Sequence, residues 1–183
     1  MKSLRPLLLV VALAGCGTFS NVYEAETVPA QLYAANYRAA DALVATAGDQ
    51  LDLERPILMA TVVDIDDLER SSTLGRFLSE SVSARFTQNK YKMVEMKLQS
   101  SVYMKRAEGE LMLTRQVREI ANAHQAQAVV VGTYSRASGV VFVNLKVVKP
   151  ETNLIISAQD YSLPMSRNVC VMLNRDVDCR DIR

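Results

Sequence analysis

Four groups of residues have types and spacing that could do chemistry. The first is the acidic run Asp64-Ile65-Asp66-Asp67, which follows a short apolar stretch from Ile57 to Val63. A D-x-D motif at a strand end is where the aspartyl nucleophile of a phosphotransferase stands, with a metal and a cationic partner beside it. Here Asp67 occupies the position usually held by Thr or Val, and no downstream acidic pair completes a metal site. The expected role of the run is a solvated loop ahead of a helix. The second group is His124, the single histidine. No Ser, Cys or Glu motif points to it, and a histidine at a helix end suits the helix dipole. The third is the pair Cys170 and Cys179 near the C-terminus. A disulfide, two free thiols and a metal pair are the alternatives, and with no His or further Cys beside them the metal pair has weak support. There is no G-x-S-x-G, no Walker loop and no G-x-G-x-x-G. No enzyme, metal or cofactor is expected from these residues.

The fourth group is the N-terminal one. Lys2 and Arg5 precede an apolar run from Pro6 to Ala14, six of whose nine residues are Leu or Val. A basic start, a short apolar core and small residues before a cut make a secretory signal. The run falls far short of the ~18 to 20 residues that span a bilayer. It closes on Leu13-Ala14-Gly15-Cys16, which resembles the lipobox of bacterial lipoproteins. Residues 1–15 are then a signal peptide, and Cys16 is the lipidated first residue of the mature chain. Each buried methylene contributes ~0.8 kcal/mol, and two or more acyl chains give stable anchoring. Gly17 follows, rather than the Asp that retains lipoproteins in the inner membrane. The expected address is therefore the outer membrane, facing the periplasm. That compartment is oxidising, so the expected state of Cys170 and Cys179 is a disulfide that folds back the tail.

Removing residues 1–15 takes two of the 21 basic residues and none of the 20 acidic ones, leaving a net charge of −1. This is neither a nucleic-acid nor a polybasic membrane signature. Residues 16–29 lack hydrophobic periodicity and read as a lipidated tether. Residues 30–164 are enough for one domain with a real core, and 49% hydrophobic content supports a globular body. Residues 165–183 read as a polar tail.

These side chains need elements to hold them. Leu32, Ala35, Ala39, Ala42 and Leu43 recur at helical spacing, with Pro29 just ahead and Gly48 near the end. Ile57 to Val63 reads as a buried strand. Ser72 or Thr73 can cap a helix on which Leu74, Phe77, Leu78, Val82 and Phe86 form an apolar stripe. Gly75 at its start permits close packing of helix on sheet. Tyr91 to Lys97 is a second strand. After a charged connection from Gln99 to Gly109, Thr114 can cap a helix reaching about His124. Ala126 to Tyr134 is a third strand. Helical crossovers between neighbouring strands favour parallel pairing. Short turns then join Val140 to Val148 and Leu154 to Tyr161 as an antiparallel meander. Val141, Val143, Leu145 and Val147 alternate onto one face. The expected fold lies between α/β and α+β: a β-α-β-α-β-β-β mixed sheet with helices, preceded by an N-terminal helix.

Five stretches carry a resemblance in order and spacing: Ile57 to Leu68, Ser71 to Glu80, Gly109 to Arg115, Ala128 to Tyr134 and Asn144 to Pro164. Together they resemble the FlgO family of outer-membrane lipoproteins. The resemblance spans about Glu54 to Pro164, and leaves the N-terminal helix and the tail outside. It implies a non-enzymatic lipoprotein associated with flagella and their outer-membrane ring structures, with a role in motility. The implied partners are the outer membrane, through the lipid, and flagellar envelope or ring proteins, with a homo-oligomer as a further option. The strand-helix order is also similar to that of the TolB N-terminal domain and of LpoB, an activator of a peptidoglycan synthase. A fold does not carry function by itself.

Overall fold

A computed structural model describes residues 28–68, 70–95, 115–173 and 179. Its elements are α1 (Val28–Ala47), β1 (Ile57–Met59), β2 (Val63–Asp64), α2 (Thr73–Gln88), β3 (Met93–Glu95), α3 (Arg115–Ala123), β4 (Ala128–Ala137), β5 (Val140–Val148), β6 (Ile155–Pro164) and α4 (Arg167–Leu173). The strands form one mixed sheet in the order β3-β1-β4-β5-β6, with β2 also paired to β4. β3, β1 and β4 run parallel, and β4, β5 and β6 are antiparallel. The fold is the expected mixed sheet with an N-terminal helix.

The burial of each strand follows from which faces are covered. On one face α1, α2 and α4 bury a cluster that includes Leu43, Phe86, Ile57, Val130, Leu145, Leu163 and Val169. On the other face α3 brings Val117 and Ala121 onto Leu58, Ala60, Val63, Val129, Val131 and Val148. β4 lies between both layers, so every residue from Ala128 to Tyr134 is buried. β5 lies largely beyond the reach of α3. Its Val141, Val143, Leu145 and Val147 are buried, while Phe142 between them is 53% exposed. Each fully buried Val, Leu or Phe contributes about 1.5–3 kcal/mol relative to exposure.

Three details differ from the sequence reading. α1 begins at Val28, so Pro29 sits inside its first turn, where the missing N–H would have no helical partner anyway. The inward stripe of α1 includes the polar Asn36, fully buried, together with Ala40. Asn36 Oδ1 accepts a hydrogen bond from the Tyr161 hydroxyl on β6 at 2.7 Å. The polar tail after Pro164 contains a helix: α4 buries Val169 and Cys170, and Ser166 accepts at its N-terminus from the Val169 N–H at 3.3 Å. Thr114, Met96, Lys97 and the Gln99 to Gly109 connection lie outside the described residues.

The Asn36–Tyr161 pair makes a pH prediction. Burial pushes the Tyr161 phenol well above its ordinary range. The folded state therefore favours the protonated form. Its stabilisation is complete below the unfolded-state value of ~10 and is lost as pH rises toward the folded value. Tyr161→Phe should cost about 1–2 kcal/mol at neutral pH, because the buried Asn36 oxygen loses its donor. It should also flatten the alkaline loss. Urea midpoints of both proteins across the alkaline range check this. An equally steep alkaline loss in Tyr161→Phe would assign it to other groups.

Candidate functional site

The strand expected over Ile57 to Val63 is interrupted, and the interruption shapes the acidic loop. Met59 pairs with Val130 and Val63 with Thr133. The first strand thus advances four residues while β4 advances three. The extra residue makes a bulge at 60–62, a device that bends a strand and re-aims its backbone. The backbone of Val62 turns toward α2. Its N–H donates to Ser79 Oγ at 2.8 Å, and its carbonyl accepts from Ser71 Oγ at 2.9 Å. Ser79 Oγ in turn donates to the Gly75 carbonyl at 2.9 Å. Gly75 lies so close that a Cβ on it would stand 2.2 Å from the Val62 oxygen. The cap of α2 is Ser72, whose Oγ accepts from the Gly75 N–H at 3.1 Å.

Beyond the bulge, Asp64 ends β2 and closes its own loop. Its carboxylate accepts from the Asp66 N–H at 3.0 Å. The Asp64 N–H donates to the Arg70 carbonyl, and the Ile65 N–H to the Tyr134 carbonyl. Desolvation pushes the buried Tyr134 phenol up, opposed by its hydrogen bond with Ser72. The acidic residues thus terminate a strand and hold a turn. Among the described residues no group of three His, Cys, Asp or Glu side chains converges as a metal site would require. His124 follows α3 and is exposed, its N–H donating to the Ile120 carbonyl at 3.1 Å. Cys16 lies outside the described residues.

Cys170 and Cys179 are joined by a disulfide, with their Cα atoms 5.9 Å apart. Both cysteines are buried. The bond ties α4 to residue 179, and α4, packed against α2, forms one wall of a groove. Leu32 and Tyr33 of α1, Phe77 of α2 and Val171 and Met172 of α4 line it, with Arg167 and Asn168 at its side; its volume is about 350 Å³. Tyr33 meets Phe77 edge-to-face at 5.1 Å and Tyr37 at 6.1 Å. Next along α1, the Arg85 guanidinium lies 5.4 Å from the Tyr37 ring centre and grips Asp41 through two 2.8 Å bonds. The Arg85 bond holds the Asp41 carboxyl below its ordinary range. A second hollow of about 460 Å³ shares Leu32 and continues past Arg38 to Ser162, Met165 and Ser166.

The other open surface is the meander face opposite α1. There Phe142 stands exposed, Asn144 donates to Asp160, and Lys146 lies half-exposed. Two features here escaped the sequence reading: the Val62 bulge and the α1/α2/α4 groove. The first leaves no trace in an apolar run. The second needed α4, whose short apolar span was masked by its polar flanks.

In comparison with known families, the profile described as FlgO protein matches residues 37–168. The chain belongs to the FlgO family. The FlgO match begins inside α1, earlier than the Glu54 at which the sequence resemblance starts. It includes both the bulge and the meander. It ends before Cys170, so the disulfide lies beyond it. Among solved structures, the C-terminal domain of LpoB from Salmonella enterica matches at a TM-score of 0.52 and 13% identity, covering 72% of this chain and 97% of that one. The same domain from Escherichia coli matches at 0.52 and 13%, covering 73% and 98%. At this identity the likeness is one of fold. No curated protein matches the chain. Among the described residues no helix is long and apolar enough to cross a membrane.

Proposed function

We propose that this FlgO-family chain is an outer-membrane lipoprotein, held by lipid on Cys16 and facing the periplasm, that serves the assembly or stability of the flagellum and motility. Family membership is the observation that carries the reading. The lipobox Leu13-Ala14-Gly15-Cys16 supports the anchor. The role is structural, with docking on flagellar envelope or ring proteins and no chemistry of its own. The acidic loop from Asp64 to Glu69 and the open meander face around Phe142 are the surfaces offered to such partners. Deleting the gene in a flagellated host should impair swimming and flagellation, scored by motility assay and electron microscopy. Normal flagella and normal swimming would overturn the reading.

The anchor is tested separately. Cys16→Ser should abolish palmitate labelling and release the protein from the membrane fraction. A variant that stays labelled and bound would remove the basis for the lipoprotein assignment.

A second reading, activation of a peptidoglycan synthase, is favoured by the LpoB-like fold. It needs a tether that crosses the wall mesh. The tether expected here is about a dozen residues, which at ~3.4 Å each reaches only ~45 Å. In a reconstituted wall-synthesis assay, stimulation of a synthase by the protein would favour this second reading over the flagellar one.

A further inference from the structure

We propose that the start of α1 rests on the surface of the membrane that carries the anchor, with the groove between α1, α2 and α4 seating the headgroup and upper acyl region of a phospholipid. This rests on the reading that Cys16 is lipidated. The groove is lined by Leu32 and Tyr33, in the first two turns of α1. Only residues 17–27 separate Cys16 from Val28. Such a segment spans ~40 Å fully extended and ~20 Å as a coil. The first turns of α1 are therefore the part of the domain held nearest the bilayer.

Tyr33 is 47% exposed and Val171 60% exposed, and both line the groove with Leu32, Phe77 and Met172 behind them. Isolated apolar residues on a surface need no explanation, but here several converge on one hollow. Arg167 flanks this hollow and Arg38 the adjoining one, which shares Leu32. Neither arginine forms an ion pair with a carboxylate among the described residues. A guanidinium suits a phosphate, and a tyrosine beside aliphatic side chains suits the headgroup boundary. A protein partner for the groove would need apolar and anionic character in the same order, which a phospholipid has by construction. The contact need be only weak, because the tether supplies a high effective concentration of the surface.

The protein has no tryptophan, so a single indole reports its own surroundings. Val171→Trp puts one at the groove. Leu154→Trp puts one at the far end of the domain, where Leu154 is 60% exposed and Lys149 Nζ donates to the Gln50 carbonyl just past the C-terminus of α1. Both proteins are expressed as full chains, purified from membranes and reconstituted in vesicles of phosphatidylethanolamine and phosphatidylglycerol with brominated acyl chains. The expected result is that both float with the vesicles. The indole at position 171 should be blue-shifted and lose the larger part of its emission to the brominated lipid. The indole at position 154 should do neither. Adding Arg38→Glu and Arg167→Glu to Val171→Trp should restore the emission without loss of flotation. If both proteins float and the two indoles behave alike, the docking is overturned and the groove passes to a protein partner or a second copy. If neither protein floats, the anchor itself is overturned, and the docking with it.

Discussion

Gly75→Ala should destabilise the domain by about 3 kcal/mol, against the usual gain of ~1 kcal/mol when a helical glycine becomes alanine. The added Cβ would lie 2.2 Å from the Val62 oxygen and 2.6 Å from Ser71 Oγ. The first of these is backbone and cannot swing away. Either α2 lifts off the sheet or the bulge at 60–62 unwinds. Both routes break the hydrogen bonds that Ser71 and Ser79 make to Val62. Overpacking alone costs ~1–3 kcal/mol, and each lost hydrogen bond adds ~0.5–1.5 kcal/mol. Denaturant unfolding monitored by circular dichroism reads the effect as a lower midpoint at unchanged slope. An unchanged or raised midpoint would show that α2 does not bear on the bulge.

Breaking the disulfide, by reductant or by replacing Cys170 and Cys179 with Ala, should cost about 2–3 kcal/mol, the chain-entropy value for so short a loop. The loss should not be spread evenly. α4 is short and has few core residues besides Val169 and Cys170. It should open first, with faster amide exchange over Arg167–Leu173, while β4 stays protected. Unfolding with and without reductant, paired with hydrogen exchange, checks both parts. Equal midpoints in the two conditions would mean that the native contacts of α4 hold it without the bond.

Much of the fold was legible because coverage writes itself into strand sequences. Ala128 to Tyr134 reads as a nearly continuous apolar run because helices cover both its faces. Val140 to Val148 alternates because one face stays open. The α2 stripe and its Ser72 cap were legible for the same local reason: a helix spaces its inward residues at three and four. What escaped were features set by distant partners. Asn36 looks like a surface residue until Tyr161, 125 residues away, supplies its donor. Gln127 is buried just ahead of β4, where its side chain accepts from the Asp52 N–H and donates to the Asp52 and Arg55 carbonyls. Nothing in its neighbourhood announces that it fastens the loop before β1. Of the candidate site, the acidic run was correctly read as a loop, although Asp64 itself closes β2. The apolar groove was not foreseen, since it is built from three elements far apart in the chain.

The way α1 lies on the sheet also decides how the domain meets a pull. α1 runs along β6 in the opposite sense: Leu32 lies near Leu163, Asn36 holds Tyr161, and Gln50 beyond its end receives Lys149 from the turn before β6. Consider tension applied at Val28 and directed along the helix axis. It loads these contacts, and the Asp41–Arg85 grip on α2, side by side in shear rather than one after another as in peeling. A domain tied down at this end would hold as a single block until many contacts gave way together.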